Sequence, residues 1–120
     1  MEMITVKASI RKNKESAEVA ENDFFLDTGV PCALAPAEDL RRLGIEADGE
    51  ERIFVGMETY VRKTGTAYFE LAGRGGYAKV MFGEPGDNNL IAKSTLKALG
   101  LWLHPFTREL GLLPAEVKPQ

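Results

Sequence analysis

NDFFLDTGV, residues 22–30, carries an apolar run of Phe24, Phe25 and Leu26 straight into a carboxylate at Asp27, followed by Thr28 and Gly29. A charge beside a core costs several kcal/mol unless something compensates it. The simplest reading is a strand that ends in an Asp-Thr-Gly turn. The tripeptide alone does not separate that reading from an acid placed for chemistry, so its surroundings have to.

Upstream, residues 3–10 alternate Ile4, Val6, Ala8 and Ile10, the pattern of a half-buried strand. Residues 11–14 (RKNK) predict a solvated hairpin turn, and residues 17–26 a returning strand. Downstream, VPCALAP is apolar but broken by Pro31 and Pro36, which predicts a short extended piece. AEDLRRLGI predicts one or two helical turns, with acids in the first turn, Leu40 and Leu43 on one face, and Gly44 where a left-handed cap is needed.

Residues 46–51 are polar and predict a loop. Residues 53–62 and 66–71 are rich in Phe, Val, Thr and Tyr and predict strands. Residues 72–76 (AGRGG) predict a tight turn, 77–82 a strand, 83–87 a loop, and 88–92 (NNLIA) another extended piece. STLKALG predicts a short helix opening on a hydroxyl cap at Ser94 or Thr95 and stopping at Gly100. Residues 101–104 and 109–113 predict a terminal hairpin around Pro105, and VKPQ a frayed end. The total is seven or eight short strands and two small helices, a mainly β chain without internal repeats.

Composition narrows the possible functions. A length of 120 residues predicts one domain over 1–120, large enough to fold without staples. The apolar fraction of 44% and charged fraction of 28% are those of a soluble globular protein, and no stretch approaches a membrane span. The formal net charge of -3 argues against a nucleic-acid partner, which would require a clustered basic surface. The first residues alternate instead of forming a secretory run, and Cys32 is the only cysteine, expected as a free buried thiol. Both features point to the cytoplasm.

Other chemistries find little support. Gly73, Gly75 and Gly76 lack the spacing of a phosphate-binding loop, and no clear helix follows them. His104 is the only histidine, so with a single cysteine the usual zinc ligand set cannot be assembled, and no metal or cofactor is expected. A Ser-His-Asp or Cys-His site would have to recruit His104, and no GxSxG motif supports one.

Three pieces taken together are more specific: FFLDTGV, then IFVGMETYVR, then NLIAKSTLKALGL. In this order and spacing they resemble the retropepsin-like aspartic proteases. That family pairs an apolar strand and Asp-Thr/Ser-Gly with a later flap hairpin and a second apolar pair leading into a short helix ending near Leu-Gly. The resemblance runs nearly the whole length of the chain. It implies a closed β-barrel of the acid-protease fold with one or two short helices.

It also implies an aspartic endopeptidase active as a homodimer, because one Asp-Thr-Gly per chain supplies one acid of the two required. Asp27 would be the catalytic acid, Thr28 would link the two loops through its hydroxyl, and Gly29 would allow their close approach. A flap over residues 54–60, with Gly56 near its tip, would cover a peptide or protein substrate. Val30, Phe54, Val55, Gly56, Met57, Ile91 and Ala92 would line its site, although Phe54, Val55 and Met57 also read as ordinary strand residues.

The chain departs from the family pattern at several places. Ala92 stands where the family usually has Gly, and Val30 replaces the usual Ala or Ser and narrows the pocket. Lys93 and Pro31 occupy positions that in the retroviral branch hold an Arg and an Asp paired near the dimer interface. Dimer contacts would then come from residues 4–8 and the terminal hairpin, with Trp102 and Phe106 supplying aromatic area. The alternative is a non-catalytic module of the same fold that dimerises or binds an extended peptide by strand addition.

Overall fold

A computed structural model describes residues 4–104 and 109–112 of the chain. Strands β1 (Thr5–Arg11) and β2 (Ala20–Leu26) form the first hairpin, paired from Thr5↔Phe25 to Ile10↔Ala20. Their alternation buries Ala8, Ile10, Ala20, Phe24 and Leu26. β2 begins three residues later than its composition suggests, because the turn holds itself with local polar bonds. Ser16 N–H donates to the Asn13 carbonyl at 3.0 Å, its hydroxyl donates to Asn13 Oδ1 at 2.9 Å, and Arg11 binds the Ser16 carbonyl.

β3 (Ala33–Pro36) leads into α1 (Ala37–Arg42), whose Leu40 is fully buried and whose last turn is closed by Gly44 at φ +83°. That conformation costs an L-residue roughly 1–2 kcal/mol, and glycine adopts it freely. Asn22 on β2 donates to Asp39 Oδ2 at 3.0 Å and so fastens the helix to the first hairpin.

β4 (Gly49–Val55) and β5 (Glu58–Leu71) form a long hairpin, which corrects two expectations. The loop expected over 46–51 ends at Asp48, where β4 takes over. The two strands expected over 53–62 and 66–71 are instead β4, a turn, and one continuous fourteen-residue strand. Gly56, at φ +62°, and Met57 make the turn, the first central position of a two-residue hairpin loop being the one that favours glycine. Gly65 does not interrupt β5. A methyl there would lie 2.6 Å from the Glu46 carbonyl oxygen, so this glycine serves a close backbone approach and not a turn.

β6 (Arg74–Gly83) returns along β5 from Leu71↔Arg74 to Thr64↔Met81. The turn between them is only Ala72 and Gly73, both at positive φ, so Gly75 and Gly76 belong to the strand. Gly76 makes room for a neighbour: its Cβ would sit 2.6 Å from the Ala98 carbonyl oxygen at the end of the second helix.

β7 (Leu90–Ile91) precedes α2 (Lys93–Ala98), which is followed by β8 (Leu101–Leu103) and β9 (Leu110–Leu112). α2 starts before the expected hydroxyl caps. Thr95, in its first turn, instead points its buried hydroxyl back to accept the Ala92 N–H at 3.3 Å. The terminal hairpin pairs Leu101↔Leu112 to Leu103↔Leu110, while Pro105, Phe106 and Leu113 lie outside the described residues, as do Met3 and the VKPQ end.

The strands form a ring in the order β1-β2-β7-β3-β6-β5, closed where β5 also pairs with β1 at Ser9↔Glu70, Ile10↔Phe69 and Arg11↔Tyr68. Glu70 secures that seam, accepting from Ser9 Oγ at 3.2 Å and Arg11 Nε at 3.0 Å. The main core lies inside the ring and includes Ile10, Phe24, Leu40, Phe69, Val80, Ile91 and Leu96. A smaller cluster of Cys32, Leu34 and Met81 packs with Ile53 and Leu90. β4 stands outside the ring, attached to the first half of β5. The fold is mainly β with two short helices.

Candidate active site

Asp27 follows directly from β2, which lies parallel to β7 at Phe25↔Leu90 and Leu26↔Ile91. Its backbone N–H donates to the Ile91 carbonyl at 2.9 Å, so the register of β7 sets where the acid emerges. Its Oδ1 accepts the Gly29 N–H at 2.9 Å, a local turn of the kind Asp favours. Phe24 and Leu26 are buried, whereas Asp27 is half-buried and Thr28 and Gly29 are exposed. The apolar strand is thus anchored in the core and carries its carboxylate out to a surface, avoiding the penalty of a buried charge.

That surface is a cleft of about 740 Å³ between the β4–β5 hairpin and the mouth of the ring. Asp27, Gly29, Val30, Leu34 and Leu90 line one side, and Ile53, Phe54, Val55, Gly56 and Tyr60 line the hairpin side. Phe54 is 73% exposed and Val55 61% exposed, so the hairpin presents unburied apolar area over the acid. Arg62, Asp87 and Asn88 complete the lining. Arg62 Nε and Nη2 hold the two carboxylate oxygens of Asp87 at 2.8 and 3.1 Å, and this bond keeps the Asp87 carboxyl below the usual range.

Solved structures share this architecture, two foamy viral ones among them. A foamy viral protease-reverse transcriptase in complex with an RNA/DNA hybrid matches 77% of the chain at 23% identity with a TM-score of 0.53. The solution structure of simian foamy virus (mac) protease matches 78% at 18% identity with a TM-score of 0.54. The chain has a retropepsin-like aspartic protease fold. It spans 11% of the length of the protease-reverse transcriptase and covers 92% of the simian protease. No protein-family model and no curated protein matches the sequence.

Within this retropepsin-like fold the residues singled out from sequence fall into three groups. Asp27, Gly29, Val30, Phe54, Val55 and Gly56 line one cleft. Met57 sits fully exposed at the hairpin tip, and Ile91 and Ala92 are buried, so these three are not part of the lining. Ile91 acts through its carbonyl on Asp27. Ala92 adopts φ -91° and ψ 164°, extended backbone that any residue takes, so its methyl imposes no strain.

Thr28 faces a second, largely apolar hollow formed with Lys93, Leu96, Lys97, Leu101, Trp102 and Leu103. Beside it, Pro31 is joined to the residue after Lys93: Ser94 Oγ donates to the Pro31 carbonyl at 3.1 Å. Leu34, Ile53, Arg62, Asp87, Asn88 and Leu90 line the cleft without having been singled out from sequence, and Tyr60, at the end of the expected flap, lines it too. Leu90 stands next to the quoted Ile91 and was within reach. Arg62 and Asp87 are 25 positions apart and carry no local signal of pairing.

Among the described residues no group of three or more His, Cys, Asp or Glu could hold a metal ion. Cys32 is buried beneath the cleft, and burial, with Glu51 nearby, pushes its thiol from 9.0 up to about 11. The folded chain therefore favours the neutral thiol. Its contribution to stability is intact below pH 9.0, where the unfolded thiol is neutral too, and is lost as pH rises toward about 11. At pH 8 iodoacetamide is expected to label native Cys32 about 100-fold more slowly than the denatured chain. Equal rates would show an accessible thiolate.

Proposed function

We propose that the chain is a one-domain aspartic endopeptidase that works as a homodimer, with Asp27 of each copy contributing half of a catalytic dyad. The observation that carries this reading is the inventory of carboxylates in the cleft. Among the described residues the only other acid in its lining, Asp87, is bound through both oxygens by Arg62. A second acid for Asp27 has to come from another copy, and a twofold axis beside Asp27 supplies it.

Two like charges at a common centre repel, so the dyad works with one carboxyl protonated and the other ionised. The ionised Asp27 takes a proton from a shared water, which attacks the peptide carbonyl. The protonated Asp27 donates to the carbonyl oxygen and afterwards assists departure of the amine. Thr28, exposed beside the apolar hollow of Leu96, Leu101, Trp102 and Leu103, is then a contact between the two copies. The hairpin bearing Phe54 and Val55 closes over an extended peptide, excludes water and favours apolar side chains near the cut. The reading places the enzyme in the cytoplasm, where a lone thiol such as Cys32 stays reduced; no helix among the described residues is long and apolar enough to cross a membrane.

A library of peptides tests the reading when hydrolysis and sedimentation are measured over the same protein concentrations. Specific activity is expected to rise with the dimer fraction, with cuts flanked by apolar residues. A protein that sediments as a monomer at micromolar concentration, yet cleaves with unchanged specific activity, overturns it. The alternative, a peptide-binding module without chemistry, draws on Ala92 in the place of the family glycine, and predicts binding without cleavage.

A further inference from the structure

The Arg62–Asp87 pair joins two parts of the molecule that border the cleft from opposite sides. Arg62 is on β5, opposite Glu51 of β4, at the root of the flap hairpin. Asp87 is in the loop between β6 and β7, and that loop runs through Asn88 and Asn89 into the strand whose Ile91 carbonyl accepts the Asp27 N–H. The root of the lid is therefore connected to the seat of the acid by one ion pair and four residues of chain.

The bonding pattern indicates what the pair does. Both oxygens of Asp87 are engaged by Arg62, and Oδ2 also accepts the Glu84 N–H at 2.8 Å. Arg62 Nη1 donates to the Val61 carbonyl at 3.0 Å and lies 3.7 Å from Glu84, and the guanidinium stacks over the Tyr60 ring at 5.6 Å. The Arg62 side chain is only 11% exposed. Groups so fully used inside the chain have little left to offer a substrate, whereas a rigid, bidentate, partly buried pair is well suited to fixing geometry. A second tie at the hairpin root, Lys79 to Glu51 at 3.6 Å, is longer and more exposed, and so contributes less.

We infer that Arg62 and Asp87 are positioning residues that pin the root of the flap to the floor loop and so set the height of the cleft above Asp27. Opening of the lid is then confined to the part of the hairpin beyond Arg62, where Phe54, Val55 and Tyr60 reach over the acid. Releasing the pin lets the whole hairpin swing from the ring and raises the cost of closing on a peptide. The effect on turnover rests on the protease reading above, whereas the mechanical link does not.

Amide hydrogen exchange on the full-length protein tests the link directly. In Arg62→Met, and separately in Asp87→Asn, exchange over residues 50–62 is expected to quicken about tenfold, with the ring amides of residues 67–69 and 80–82 unchanged. Arg62→Lys, which keeps charge but not the fork, is expected to restore part of the protection. With a cleaved peptide, the same variants are expected to raise KM severalfold at nearly constant kcat. Unchanged exchange over 50–62 in a folded Arg62→Met protein overturns the inference, as does equal quickening over the ring. If the wild type cleaves nothing, the protease reading fails while the exchange result still decides whether the pin exists.

Discussion

Replacing Asp27 with Asn is expected to lower kcat/KM for peptide hydrolysis by roughly 10²–10⁴-fold, the range supplied by a positioned acid–base group. Asn is nearly isosteric and keeps an oxygen that can accept the Gly29 N–H now bound at 2.9 Å. The backbone bond from Asp27 N–H to the Ile91 carbonyl does not involve the side chain at all. The variant should therefore fold and sediment as the wild type does, with thermal stability changed by less than about 1 kcal/mol. Loss of activity with intact secondary structure and an unchanged sedimentation coefficient would locate the chemistry at this carboxylate. Substantial activity in Asp27→Asn would remove it from the mechanism.

The largest effect on stability is expected at Phe69. It is fully buried and sits where β5 pairs with β6 on one side, opposite Gly76, and with β1 on the other, opposite Ile10. Truncation to Ala leaves a cavity at the seam that closes the ring, and substitutions of this kind cost about 3–5 kcal/mol. For a chain of this size that corresponds to a fall in melting temperature of more than about 10 °C. Neighbours cannot easily collapse into the space, because Ser9 and Arg11 are held by Glu70 at the same seam. Thermal unfolding of Phe69→Ala showing a shift of only a few degrees would mean that the seam is not a structural keystone.

The readable parts of this fold are those whose cause is local. Alternation in residues 4–10 reports a strand because one face packs on the core, and the left-handed glycines Gly44, Gly56 and Gly100 mark ends because no other residue sits there cheaply. Residues 22–30 are informative for the same reason: Phe24 and Leu26 are buried, and Asp27 escapes full burial. Glycines used for close approach were misleading. Gly65 and Gly76 read as breaks or turns, but their missing side chains admit the Glu46 and Ala98 carbonyls in the middle of strands. Thr95 likewise reads as the opening cap, yet it stands inside the first turn of α2, where its hydroxyl reaches back to accept the Ala92 N–H.

The candidate site divides along the same line. The acid and the apolar residues of the hairpin belong to short contiguous motifs, so they were visible in sequence. The charged wall of the cleft was not, since Arg62 meets Asp87 only after β5, β6 and the following loop have folded back on one another. Ala92 shows a third case: its departure from the family glycine is visible in sequence, whereas the extended backbone it adopts at the start of α2 is not.

Whether two subunits must each supply an intact acid can be measured by mixing. Wild type and Asp27→Asn are combined in varying proportion at fixed total concentration, above the dimer dissociation constant and after time for exchange, and peptide cleavage is recorded. A dyad built across the axis predicts activity that follows the square of the wild-type fraction, so that an equal mixture retains a quarter of the rate. Activity that falls in simple proportion, leaving half the rate, would mean that each chain cuts by itself and would contradict the account.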